Sequence, residues 1–202
     1  MTRRTFFFLV GFLCLALAGS IAAGYWIVSG GRISGQESTA NLVGGPFSLT
    51  DETGATLTNE DLEGRYMMVF FGYTYCPDVC PTTLTVMTQA LDMLDPKVAE
   101  QVEPVFITID PARDTSKALG AYSEHFHDKI HYLTGTQEQI ASVAKAYRMF
   151  YQKVESEDFS DYLMDHSTIT YLMGPDGRYV SHFGFNAEPE EIAKDLTRRI
   201  AG

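Results

Sequence analysis

The sequence predicts an α/β sandwich preceded by a single membrane-spanning segment. Two patterns predict the sandwich. Short apolar runs at residues 67–71 and 102–109 are each followed by a stretch of helical periodicity, and residues 169–183 read as a hairpin around Gly174-Pro175-Asp176-Gly177 before a last helix. The third observation is charge: no charged residue lies between Arg4 and Arg32.

That uncharged stretch comes first in the chain. Residues 6–28 are almost wholly apolar and as a helix would reach roughly 34 Å, enough to cross a bilayer. Ala16-Leu17-Ala18 resembles the cleavage site of a secretory signal, but apolar sequence resumes from Ile21 to Val28, which a removed signal does not need. The expectation is therefore an uncleaved anchor. A lipid attachment at Cys14 is disfavoured by bulky Leu13 before it. Arg3 and Arg4 make residues 1–5 a cytoplasmic stub, which places the remainder across the membrane. Residues 29–42, rich in Gly, Ser and Thr, read as a tether, and residues 43–202 as the folded domain. All 26 acidic residues lie beyond residue 36, whereas three of the 15 basic ones lie before it. So acidic a domain repels phosphate backbones and anionic lipid, which excludes nucleic acid as a partner.

Within the domain, residues 47–57 alternate apolar and polar and turn at Asp51-Glu52-Thr53-Gly54, as a hairpin does. Residues 59–62 form a helical turn. The run 67–71 is aromatic and β-branched and closed by Gly72, which fits a buried strand. Leu84, Met87, Leu91 and Leu94 recur at spacings of three and four, predicting a helix over 81–94. Residues 102–109 give a second buried strand, 115–126 a helix capped by Asp114 or Thr115, and 130–133 a short strand. A helix over 137–151 presents Ile140, Val143, Ala144 and Tyr147 on one face. Periodicity lapses over 152–165, where Glu155, Glu157, Asp158, Asp161 and Asp165 predict an exposed, mobile loop. A helix over 188–200 follows the terminal hairpin.

The chemistry concentrates at Gly72-Tyr73-Thr74-Tyr75-Cys76-Pro77-Asp78-Val79-Cys80-Pro81, where a strand runs into a helix. Proline is tolerated only in a helix's first turn, so Pro77 and Pro81 set the helix start beside the cysteines. A spacing of four puts both sulfurs on one side of a helical turn, in the positive field that favours thiolate. Cys14 lies in the apolar span, so Cys76 and Cys80 are the two cysteines of the domain. A disulfide closing so short a loop would constrain the unfolded chain little. That leaves a redox pair or a metal site. Two thiolates suit copper(I), and a histidine would complete the site. His125, His127 and His131 cluster around a helix end, where cationic side chains are favoured, and His182 alternates along a strand. His166 stands at the mouth of a strand after the acidic loop, and spacing alone leaves its role open. Met67, Met68, Met87 and Met93 lie within or beside apolar runs and read as core filling, whereas Met164 lies near His166.

The stretch 73–81 resembles the signature of the Sco/SenC copper proteins. Asp110-Pro111-Ala112-Arg113-Asp114-Thr115 and Asp161-Tyr162-Leu163-Met164-Asp165-His166-Ser167 resemble that family's other two motifs. The resemblance implies a thioredoxin-like sandwich, a central mixed sheet flanked by helices, held by a membrane anchor. It implies Cys76, Cys80 and His166 as ligands of Cu(I) or Cu(II); Asp110 and Arg113 would line the site or orient those ligands, or else belong to a strand-end turn and helix cap that needs no metal. It further implies assembly of the binuclear copper centre of cytochrome c oxidase subunit II, with copper received from another periplasmic donor. The expected location is the bacterial inner membrane, single-pass, with the C-terminal domain in the periplasm, or the equivalent mitochondrial membrane. In such a site Cys80 on the helix would be the fixed ligand and His166 the releasable one, and Tyr73 and Tyr75 would shield the metal from water.

Two further readings compete. The cysteines would also serve a thiol–disulfide oxidoreductase, in which Cys76 and Cys80 are the redox-active pair. Thioredoxin-type enzymes have two residues between their cysteines, whereas three stand here, and Asp165-His166-Ser167-Thr168 offers no proline before the late strand. A copper or redox sensor would use the same residues with a regulatory partner. A peroxidase is disfavoured, since the surroundings of Cys76 and Cys80 lack the Pro-x-x-x-Thr-x-x-Cys pattern.

Overall fold

The structure, a computed structural model, describes residues 43–155 and 161–202. The expected anchor at 6–28 and the tether at 29–42 lie outside the described residues. Among the described residues no helix is long and apolar enough to cross a membrane.

The elements follow the predicted order. β1 (Ser48–Asp51) and β2 (Thr56–Thr58) form the first hairpin, and a 3-10 turn spans Glu60–Leu62. β3 (Tyr66–Gly72), α1 (Val79–Asp92), α2 (Pro96–Ala99), β4 (Val102–Thr108), α3 (Ser116–Ser123), β5 (His131–Thr134) and α4 (Gln137–Ala146) alternate through the body. β6 (Tyr151–Val154), β7 (Leu163–His166), β8 (Thr170–Met173), β9 (Tyr179–Phe183) and α5 (Pro189–Ala201) close the chain.

Seven strands form one mixed sheet in the order β2-β1-β5-β4-β3-β8-β9. β3, β4 and β5 run parallel in its centre, and β8 lies antiparallel to β3, pairing Phe70 with Thr170 and Met67 with Met173. The centre is parallel because helices return the chain between these strands, and a parallel centre must be covered on both faces. Accordingly β4 is buried along its whole length and β3 from Met67 onward. Alternation along β3 serves the two faces. Phe71 points to Tyr147 and Tyr171, with ring centroids 5.3 and 6.1 Å away. Phe70 points the other way, to Phe106, itself packed on Tyr132 and on Tyr122 of α3. Each fully buried Phe contributes about 2 kcal/mol.

Three elements differ from the sequence reading. The helix predicted over 137–151 ends at Ala146. Arg148 turns the chain in the left-handed region at φ 53°, and the Met149 and Arg148 amides donate to the carbonyls of Ala144 and Lys145. That pattern terminates a helix and usually carries glycine. With Arg at the turn and apolar residues continuing behind it, the sequence concealed the stop. The stretch 152–165, predicted as a loop, carries paired strands at both its described ends. β6 pairs with β7, matching Tyr151 to His166 and Val154 to Leu163. Finally, α1 begins at Val79, two residues before the predicted start, which brings Cys80 into its first turn.

Candidate metal centre

Three local structures converge at the C-terminal end of β3. The first is the loop from Tyr73 to Asp78. Asp114 anchors it: Thr74 N–H donates to Oδ2 at 3.0 Å, Thr74 Oγ1 to Oδ1 at 2.5 Å, and Thr108 Oγ1 to Oδ2 at 2.6 Å. Asp114 is fully buried, and that burial pushes its pKa up despite these donors. The sequence offered Asp114 or Thr115 as the cap of α3. Thr115 takes the cap, accepting from the Ala118 amide at 3.3 Å, which frees Asp114 for the loop.

The second is the start of α1. Asp78 precedes the helix but makes no side-chain cap. The sulfur of Cys76 takes that place, accepting the Cys80 amide at 3.3 Å. An otherwise unpaired helix N–H thus points at Cys76. Hydrogen bonding from the Cys80 thiol, with smaller contributions from His166 and the Cys80 and Asp78 backbone, draws the Cys76 pKa well below the ordinary thiol value. The hydrogen bond to Cys76 and burial push Cys80 up. The two shifts oppose one another and make Cys76 the more acidic thiol of the pair.

The third is the arm. β7 delivers His166 over the thiols, so that its Nε2 lies 3.6 Å from Cys80 Sγ. Nδ1 lies 2.9 Å from the Ser167 carbonyl oxygen, which can only accept, so Nδ1 donates there and Nε2 is the ring nitrogen turned to the thiols. Phe70 and Tyr73 hold the ring edge-on, with centroids 6.3 and 6.0 Å away.

The sulfurs of Cys76 and Cys80 and a ring nitrogen of His166 lie within 4.8 Å of one another. This is a compact set of two soft donors and one borderline donor, with Cys80 buried as the floor and Cys76 half-buried at the rim. The rim opens into a cleft of about 190 Å³ lined also by Tyr73, Pro77, Met164 and Asp165. Such a set suits a soft, low-coordinate ion, and its mouth leaves room for a second protein's ligand. Among the described residues no other group of three or more Cys, His, Asp or Glu side chains converges in this way.

The other candidates fall elsewhere. His125 is exposed, His127 lies beside Asp92 and Asp128, and His131 Nε2 donates to the buried Glu103 carboxylate at 2.8 Å. His182 is exposed and bonded to the Tyr179 hydroxyl. Met67, Met68 and Met87 are core, but Met93, expected with them, is half exposed. Of the two tyrosines expected to shield the site, Tyr73 is buried against His166 while Tyr75 is 59% exposed. Asp110 does not reach the thiols directly. It pairs with Arg113 and accepts the Tyr162 hydroxyl at 2.8 Å. Tyr162, quoted in the family motif, received no role from the sequence because a lone aromatic in an acidic, aperiodic stretch carries no pattern.

A mixed α/β sheet flanked by helices, with a Cys-x-x-x-Cys pair at the start of α1 and a histidine brought over it, defines a thioredoxin-like metal-site protein. The chain belongs to the SCO1/SenC family, whose model matches residues 35–201. It is 42% identical over 160 residues to the human protein SCO1 homolog, mitochondrial, covering 79% of this chain and 53% of that one. It is 41% identical over 155 residues to an SCO2-like protein of Rickettsia felis, covering 76% of this chain and 75% of that one. The chain thus spans about half the length of the human relative. Among solved structures, Bradyrhizobium japonicum ScoI with copper bound superposes with a TM-score of 0.72 at 43% identity, covering 77% of this chain and 98% of that one.

Proposed function

We propose that this chain is a membrane-anchored copper chaperone. It binds one copper ion through Cys76 Sγ, Cys80 Sγ and His166 Nε2 and assists assembly of the binuclear copper centre of cytochrome c oxidase subunit II. The observation that carries the reading is the convergence of these three donor atoms within 4.8 Å at the mouth of a cleft. Relatives with copper bound and family membership support it. The two thiolates hold Cu(I), and the imidazole adds the donor that Cu(II) requires. Few ligands, one of them on an arm at the protein surface, let the metal leave by ligand exchange. Residues 6–28 tether the domain to the bacterial inner membrane, or its mitochondrial equivalent, on the side where the oxidase copper centre is exposed. The copper comes from a further periplasmic donor.

A second activity is favoured by one observation, the Cys80 amide at the helix start donating to Cys76 Sγ at 3.3 Å, which helps lower that thiol's pKa. The Cys76 sulfur would attack a disulfide of the partner, forming a mixed disulfide and releasing one partner thiolate. Cys80, once deprotonated, would then displace the second thiolate and close the Cys76–Cys80 disulfide. Two electrons pass from this pair to the partner. The experiment mixes copper-loaded domain anaerobically with the copper-free soluble domain of subunit II, once with its cysteines reduced and once with them oxidised. Copper moving to the reduced partner supports the chaperone. Reduction of the oxidised partner with no copper movement in the other mixture assigns the chain to disulfide reduction instead.

A further inference from the structure

The arm that carries His166 is a two-stranded ribbon outside the seven-stranded sheet. Two strands alone are marginal in water, so something must fix the ribbon in place. Arg113 is the residue placed to do it. It lies in the turn after β4 and touches three segments at once. Its Nε pairs with Asp110 in the same turn. Its Nη1 donates to the Tyr162 carbonyl on the arm at 2.9 Å and lies 3.4 Å from Asp161. Its guanidinium carbon lies over the Tyr162 ring, 3.6 Å from the centroid, and 4.6 Å from the ring centroid of Tyr75 in the cysteine loop. The Tyr162 hydroxyl completes the circuit by donating to Asp110. One planar cation therefore joins the cysteine loop to the strand whose fourth residue is His166.

We propose that Arg113 is a positioning residue that clasps the β6–β7 arm onto the cysteine loop and so sets how fully His166 Nε2 occupies the metal. This rests on copper being held by Cys76, Cys80 and His166. Arg113 acts on the site through His166, because Asp114 independently holds the cysteine loop at Thr74 and Cys80 is held within α1. Releasing the clasp leaves the two-thiolate part of the site intact. The metal state that needs the imidazole is the one that suffers.

The test uses Arg113→Gln, Arg113→Lys and Tyr162→Phe, each alone and with His166→Ala, in reduced protein. Amide hydrogen exchange of residues 151–154 and 163–167 is followed without metal, and Cu(I) and Cu(II) affinities are measured by competition. Arg113→Gln is expected to speed exchange in the arm and to lower Cu(II) affinity by about ten- to a hundredfold, with Cu(I) affinity nearly unchanged. Arg113→Lys does not restore the arm, because lysine lacks the planar fork that stacks and bonds together. Tyr162→Phe, which keeps the ring and removes only the hydroxyl, gives a smaller change of the same kind and guards against a misfolded Arg113 variant. Combined with His166→Ala, Arg113→Gln adds no further loss. Unchanged exchange in the arm of Arg113→Gln overturns the clasp whatever copper does. Equal losses of Cu(I) and Cu(II), or losses that add to those of His166→Ala, overturn its action through His166. If His166→Ala itself leaves Cu(II) affinity intact, the copper assignment has failed, and the metal-free exchange still decides the clasp.

Discussion

The sulfur of Cys80 and Nε2 of His166 stand 3.6 Å apart across 86 residues of sequence. They reach that point from unlike supports. Cys80 sits in the first turn of a helix packed into the core, and His166 sits on an arm outside the main sheet. The site is therefore half rigid and half adjustable, and the consequences can be separated residue by residue.

Cys76, the more acidic thiol, gives a directional pH effect. Its pKa is lowered and that of Cys80 raised, so at neutral pH copper displaces one proton, from Cys80. Apparent Cu(I) affinity at a fixed chelator should rise by about tenfold per pH unit near pH 7. A rise of a hundredfold per unit would mean that both thiols are protonated. Alkylation of the reduced, metal-free protein at pH 6.5, followed by mass mapping, should label Cys76 well before Cys80.

Gly72 permits the approach of Cys80 to the sheet. A Cβ at this position would lie 2.8 Å from Phe106 Cε2 and 2.9 Å from Cys80 Sγ. Gly72→Ala should cost about 1–3 kcal/mol by urea unfolding, since a packed core resists one added methyl. It should also weaken copper binding, because one of the two atoms that must move is the ligand sulfur.

Asp114 ties the cysteine loop to β4. Asp114→Ala leaves the Thr74 amide and two threonine hydroxyls without their acceptor, at a cost of about 3 kcal/mol in urea unfolding. Asp114→Asn keeps one acceptor oxygen and should lose less. Equal stability of Asp114→Ala and the parent would show that the anchor contributes nothing.

His166→Ala removes the adjustable ligand. Cu(II) affinity should fall by at least tenfold more than Cu(I) affinity, read by competition in each state. Equal losses in both states would contradict the division between a fixed thiolate pair and a releasable imidazole.

Much of this was legible in the sequence because it is periodic or punctuated. The buried runs of β3 and β4, the hairpin turn at residues 174–177 and the helical spacing of Leu84, Met87 and Leu91 each carry a repeat that one face of a fold demands. The thiol pair was legible because two prolines mark the helix start beside it. Convergence was not. Spacing left His166 open, and only the family motif singled it out, because β7 has no alternation strong enough to show an arm. The stop of α4 at Ala146 was hidden because Arg148 adopts a backbone that glycine would have advertised. The clasp of Arg113 on Tyr162 depends on three segments meeting, which no local pattern records.

The central claim is tested most directly by anaerobic copper titration of residues 34–202, reduced, against a competing chelator. The parent would be compared with Cys76→Ala, Cys80→Ala and His166→Ala. One tightly held Cu(I) per chain, lost or strongly weakened in both cysteine variants, and one Cu(II) lost in all three, is the result expected. Weak binding in the parent, or a Cu(II) affinity untouched by His166→Ala, would contradict it and leave Cys76 and Cys80 as a redox pair.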